Sequence, residues 1–167
     1  MEHEHTYETA LRWNGSTGEG YEAYVRAHSV TTVPPTAELT LTSDAAFGGD
    51  ASLANPEQLL VAAASSCQLL SFLAVAARAR LDVVAYTDRA TAVMPVEPEP
   101  MRITRIDLHP VVAFADTDRP RPGEDRLRHL TDVAHHGCFV ASSLRSDVVV
   151  TPRFEWPKST ERVASQR

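Results

Sequence analysis

Lysine is all but missing from this sequence: Lys158 is the single one among 167 residues, and the arginines are scattered among acids. With a formal net charge of −6 there is no basic stripe to track a phosphate backbone, which argues against nucleic acid as a partner. Aromatic residues are sparse, at 7%, so a core has to be filled mainly by Ala, Val and Leu. Cysteine is limited to Cys67 and Cys138, far apart and in no CxxC pair. That count excludes a structural disulfide framework and leaves packing, metal binding or redox chemistry. Gly15, Gly18, Gly20, Gly48 and Gly49 fit neither a phosphate loop nor a dinucleotide fingerprint, and there is no serine nucleophile elbow.

The first twelve residues have no basic start and no apolar stretch, so nothing there reads as a secretory signal and a cytoplasmic location is expected. Residues 59–77 carry no charge and approach the length of a membrane span. Ala and Ser dominate that run and Gln68 interrupts it, which favours a buried helix over a membrane segment.

No internal repeat or low-complexity tract is present. Tyr7, Thr9, Leu11 and Trp13 alternate in a strand expected over residues 4–13, ended by the turn Asn14-Gly15. Residues 21–30 are expected to pair with it, and residues 37–42 form a third strand with one wet face. Asn55-Pro56-Glu57 combines an N-cap, a proline at the first helical position and an acid in the first turn. A helix is therefore expected from 56 to about 80, apolar on nearly every side and so enclosed. Strands follow over 83–94 and 101–114, the second with an edge or bulge at Pro110, which lacks a donor. A second helix, 124–136, places Leu127, Leu130, Val133 and Ala134 on one face and stops at Gly137. Cys138 then begins a short helical segment, 139–144, before a last strand at 147–156. The order βββ, α, ββ, α, β predicts an α+β protein with mainly antiparallel pairing, as a single domain over 1–157 with a polar tail at 158–167.

Cys67 lies among Ser65, Ser66 and Gln68 in an apolar helix, where burial alone would raise its pKa and make it inert. A nucleophilic thiolate there needs a cation, and Arg26 is the candidate against a plain reading as a solvated strand residue. Glu57 can hold such an arginine or merely favour the helix start. Ten residues of helix put about 15 Å between Glu57 and Cys67. One arginine reaches both only if Glu57 sits on the loop or on a bent first turn, or if the guanidinium moves. Cys138 at a helix start meets unpaired amide donors that favour its anion. His28, two residues from Arg26, is expected on the same strand face. His135, His136 and Cys138 lack a fourth ligand at a recognised spacing, so no metal site is expected, and the two histidines are placed to complement a helix dipole.

The run Asn55-Pro56-Glu57-Gln58-Leu59-Leu60, followed by Ser65-Ser66-Cys67, resembles the hallmark of the OsmC/Ohr family. His136-Gly137-Cys138-Phe139-Val140-Ala141-Ser142-Ser143-Leu144 resembles its second cysteine motif, with Phe139 where many relatives have proline. Tyr24-Val25-Arg26-Ala27-His28 and Ser43-Asp44-Ala45-Ala46-Phe47-Gly48-Gly49-Asp50 are similar to a less characterised branch, and the similarity spans roughly Tyr7 to Trp156. The resemblance implies the OsmC-like fold, with antiparallel sheets around a long central buried helix, in an intertwined homodimer whose sites draw on both subunits. It implies reduction of organic hydroperoxides, with Cys67 as peroxidatic thiol, Cys138 as resolving thiol, and Arg26 with Glu57 controlling the thiolate. The expected partners are a small hydroperoxide and an external dithiol reductant, lipoyl-type in relatives; no cofactor, metal, nucleic acid or membrane is needed. A noncatalytic ligand-binding or stress protein, and a redox sensor, are the alternative functions.

Overall fold

The computed structural model describes residues 4–17, 20–34 and 37–156. The tail expected at 158–167 lies outside the described residues. The chain divides between Leu59 and Leu60 into two compact units.

In the first unit, β1 (Glu8–Arg12), β2 (His28–Val33) and β3 (Glu38–Leu41) form an antiparallel sheet with β2 in the middle. Register is set by Leu11 opposite Val30 and by Val30 opposite Leu39. The second strand starts at His28, seven residues later than its expected start at 21. The reason is local: the Arg26 guanidinium takes the carbonyls of Tyr21 (2.7 Å) and Tyr24 (3.1 Å), so this stretch forms a turn instead of a ladder. Trp13, beyond the end of β1, donates its indole N–H to Val25 O at 2.8 Å.

The long helix α1 (Pro56–Arg78) begins as its sequence demands. Asn55 Oδ1 accepts the Gln58 amide at 2.9 Å, and Gln58 Oε1 accepts the Asn55 amide at 3.0 Å. This reciprocal capping box contributes on the order of 1 kcal/mol. At the far end, Leu81 N–H bonds Ala76 O (2.9 Å) and Arg80 N–H bonds Ala77 O (3.0 Å). That is a Schellman closure, in which the residue with positive φ is usually glycine. Here it is Arg80, at φ 60°, a conformation costing an L side chain roughly 1–2 kcal/mol.

Among the described residues the second unit contains most of α1 and six short strands: β4 (Val83–Thr87), β5 (Thr91–Val93), β6 (Arg105–Leu108), β7 (Val111–Phe114), β8 (Asp147–Val150) and β9 (Arg153–Glu155). Three expected long strands are each broken once, and the halves enter two sheets, β4-β7-β9 and β5-β6-β8. The breaks have identifiable causes. Asp88 accepts the His109 amide at 2.7 Å, Pro110 offers no donor, and Pro152 interrupts the last strand. Among the described residues four of the six strand pairings are antiparallel. The other two, β6 with β8 and β7 with β9, are parallel, because α2 (Glu124–His136) and α3 (Phe139–Ser143) form a crossover before the chain returns.

The buried ridge of α1 is Ala64, Gln68, Phe72 and Ala76, spaced by four. Phe72 and Ala76 pack with Val112, Phe114, Leu127 and Ala134, while Ala64 packs with Ile103, Ile106 and Leu108. Gln68 stands between the two clusters. Burial within the chain is confined to this face, and Leu70 remains 63% exposed. In α2 the buried positions are Leu127, Thr131 and Ala134, so Thr131 takes the place expected for Val133, which is exposed. Thr131 tolerates burial because its hydroxyl donates to Leu127 O at 3.0 Å.

Candidate active site

Cys67 occupies the middle of α1, partly exposed, and Cys138 is the buried N-cap of α3; both are free thiols. Gly137 ends α2 at φ −87°, a conformation open to any residue, and its amide bonds Val133 O. The chain turns there, and α3 directs its first amides at two sulfurs. Val140 N–H donates to Cys67 Sγ and Ala141 N–H donates to Cys138 Sγ, each at 3.5 Å. Consecutive amides thus serve the two cysteines, which lie close enough for each thiol to influence the other's ionisation.

The two sulfurs are displaced in opposite directions. Burial works against the Cys67 thiolate, but the Val140 amide, the Cys138 thiol, the Phe139 amide and the Ser71 hydroxyl outweigh it and hold the Cys67 pKa below the ordinary thiol value. Burial pushes the Cys138 thiol up, and donation to Cys67 adds to that, since a thiol acting as donor must keep its proton. Of the two thiols, Cys67 gives up its proton more readily. The anion-favouring amides expected to act on Cys138 therefore benefit Cys67 more.

Arg26 lies 4.7 Å and 4.3 Å from the ring centroids of Tyr21 and Tyr24, its fork spent on their carbonyls. It also rests against Gly48, at φ 77°, where a Cβ would come within 2.9 Å of the guanidinium carbon. Glu57 is inside the first helical turn of α1, so the arrangement with Glu57 on the preceding loop is not adopted. Among the described residues the ion pairs are Arg105 with Asp107, Arg121 with Asp116 and Arg128 with Glu124; Arg26 and Glu57 are not paired. His28 opens β2, after Arg26 and not on a shared strand face with it, and its Nδ1–H donates to Arg26 O at 2.9 Å. His136 Nδ1–H donates to Asp132 O at 2.7 Å, while His135 Nδ1 is buried without a hydrogen-bond partner among the described residues. Burial, followed by the charge of His136, pushes His135 below the usual imidazole range. Among the described residues no group of three His, Cys, Asp or Glu is close enough to hold a metal ion.

Three contributors were not singled out from sequence. Ser71 is one helical turn beyond Cys67, a relationship that i to i+4 spacing makes visible. The Val140 and Phe139 amides carry no sequence signal, because every residue but proline has one. Ser65 Oγ donates to Asp88 Oδ2 at 2.5 Å, fastening the cysteine-bearing stretch of α1 to the break after β4.

The sequence pattern of the OsmC-like protein family matches residues 49–153. Among solved structures, an OsmC-like protein of unknown function from Vibrio cholerae is 25% identical with a TM-score of 0.80, covering 90% of this chain and 100% of its own. An organic hydroperoxide resistance protein OsmC from Legionella pneumophila is 20% identical with a TM-score of 0.65, covering 91% and 99%. An organic hydroperoxide resistance protein from Elizabethkingia anophelis is 19% identical with a TM-score of 0.65, covering 94% and 100%. No curated protein matches. The α+β architecture is that of OsmC and Ohr structures, and, with its family pattern running across both cysteines, the chain belongs to the OsmC-like protein family.

Proposed function

We propose that the protein is a cysteine-based peroxidase acting on organic hydroperoxides. The observation that carries this reading is the meeting of the two free thiols at the start of α3, where consecutive amides reach Cys67 and Cys138, with the Cys67 pKa displaced down and that of Cys138 up. The Cys67 thiolate attacks the terminal peroxide oxygen, a sulfur–oxygen bond forms, the oxygen–oxygen bond breaks, and the alkoxide leaves as alcohol after taking a proton. Cys138 then attacks the sulfenic acid sulfur, a disulfide forms and water departs. An external dithiol, lipoyl-type by family likeness, returns both sulfurs to thiols by exchange.

Phe139, 83% exposed, sets an apolar rim beside Cys138, which supports a preference for organic over hydrogen peroxide. Relatives named as organic hydroperoxide resistance proteins support the same assignment. Arg26 is proposed as the cation that assists the thiolate and the departing oxygen, with Glu57 as the acid that holds it when it leaves the tyrosine carbonyls. We assign the assembly as a cytoplasmic homodimer with α1 central. The uncharged stretch of α1 over residues 59–77, with its exposed Leu70 and Leu73, supports a second copy as cover.

Intact-mass measurement tests the reaction. One equivalent of an organic hydroperoxide added to reduced protein is expected to remove two hydrogens, and peptide mapping should find Cys67 joined to Cys138. Two free cysteines, or direct progression to sulfonic acid, would refute the resolving role. A disulfide that forms once but does not turn over with dithiol would assign a sensor instead of a peroxidase.

A further inference from the structure

Within the second unit, a pocket of about 670 Å3 is lined by Arg80, Arg119, Arg121 and Arg126 over a floor of Phe114 and Trp156. That volume is in the range of small-molecule sites. Four of the sixteen basic residues of a chain with net charge −6 converge here, against one acid in the lining, Asp82. Arg121 bonds Asp116 at 2.9 Å and lies 5.3 Å from the Trp156 ring centroid. Phe114 and Trp156 stack at 5.4 Å. Among the described residues Arg80, Arg119 and Arg126 have no ion-pair partner. Like charges gathered around one concavity repel, so their free energy falls when an anion enters.

Arg80 adds an independent argument. It holds the left-handed position closing α1, where glycine would be relaxed. Strain retained at a residue lining a cavity points to use of its side chain.

We propose that this pocket binds a phosphomonoester carrying a flat apolar body. Guanidinium forks match phosphate oxygens in pairs, and three of them exceed what one carboxylate engages. The apolar body would rest on the Phe114 and Trp156 floor. The site is separate in residues and chemistry from the two cysteines, and it stands whether or not they reduce peroxides.

The chain has two tryptophans, so Trp13→Phe leaves Trp156 as its only indole reporter. In that background, phenyl phosphate is expected to give a saturable change in Trp156 emission. Arg119→Ala and Arg126→Ala should each weaken it about tenfold, the loss of one charge-assisted contact. Arg105→Ala, outside the pocket, should leave it unchanged. Arg80→Gly is expected to weaken binding while raising Tm, two opposite movements that a merely structural arginine would not produce. Phenol should not bind, and inorganic phosphate and benzoate should bind more weakly than phenyl phosphate. No saturable change at millimolar phenyl phosphate, or equal binding by the arginine variants, would overturn the proposal. Equal affinity for inorganic phosphate would overturn the apolar half of it.

Discussion

The sulfur of Cys67 accepts a hydrogen bond from the amide of Val140, a residue 73 positions later that lies two beyond Cys138. Cys138 and the donors that favour the Cys67 thiolate thus belong to one short stretch of backbone, and whatever moves α3 moves both.

The pH dependence of thiol reactivity follows from the signs of the two shifts. Cys67 should be alkylated with a midpoint below the ordinary thiol value, and Cys138 with a midpoint above it. At neutral pH Cys67 is therefore the faster site, and Cys138→Ala should move its midpoint up by removing the thiol donor. Iodoacetamide labelling against pH, read by peptide mass, checks this. Coincident midpoints for the two cysteines would contradict the assignment.

Phe139→Pro deletes an amide donor that favours the Cys67 thiolate. Proline is tolerated at the first helical position, so α3 should persist. Labelling of Cys67 at neutral pH is expected to slow by roughly three- to tenfold, the worth of one weak charge-assisted bond to a partly exposed sulfur. An unchanged rate would mean that the Val140 amide and the Cys138 thiol suffice.

Arg26→Ala separates the roles open to that arginine. If Arg26 serves the thiolate and the leaving oxygen, hydroperoxide consumption per Cys67 should fall by about tenfold to a hundredfold with melting little changed. If it only organises the Tyr21–Tyr24 turn and packs on Gly48, melting temperature should drop while the chemistry of Cys67 stays as it was.

The exposed leucines of α1 make the assembly testable. Sedimentation of the wild type is expected to give the mass of two chains. Leu70→Asp, placing a charge on an exposed position that burial in a dimer would desolvate, should weaken association by at least about tenfold. A wild-type monomer at micromolar concentration would remove the dimer from the proposal.

Asp88 accepts from both Ser65 Oγ and the His109 amide. Asp88→Ala should cost about 1 kcal/mol, measured by denaturant unfolding, because it leaves the part-buried Ser65 hydroxyl without its acceptor while the exposed His109 amide turns to water. The Tyr86 phenol, pushed well above its usual range by burial and then by the Asp88 charge, should titrate at lower pH in Asp88→Asn. An unchanged Tyr86 titration would show that burial alone sets it.

Local signals were the most legible. Asn55-Pro56 specifies the start of α1 because capping involves only neighbours in sequence, and Gly137 marks the end of α2 for the same reason. Strand boundaries were less so. Residues 21–30 have strand-like composition, yet a single arginine side chain claims two carbonyls there and postpones β2 to His28. Composition cannot report such a competition, since it depends on where a long side chain folds back.

The amino-acid order by itself determined that two thiols exist in an acidic chain, that one rides mid-way along a capped apolar helix, and that the other begins a short helix after a glycine. Only the folded backbone decided which thiol loses its proton more readily. Amides are identical along a chain until a turn aims them, and it was the crossover ending in α3 that aimed Val140 at Cys67 and buried Cys138, which pushes that thiol's pKa up.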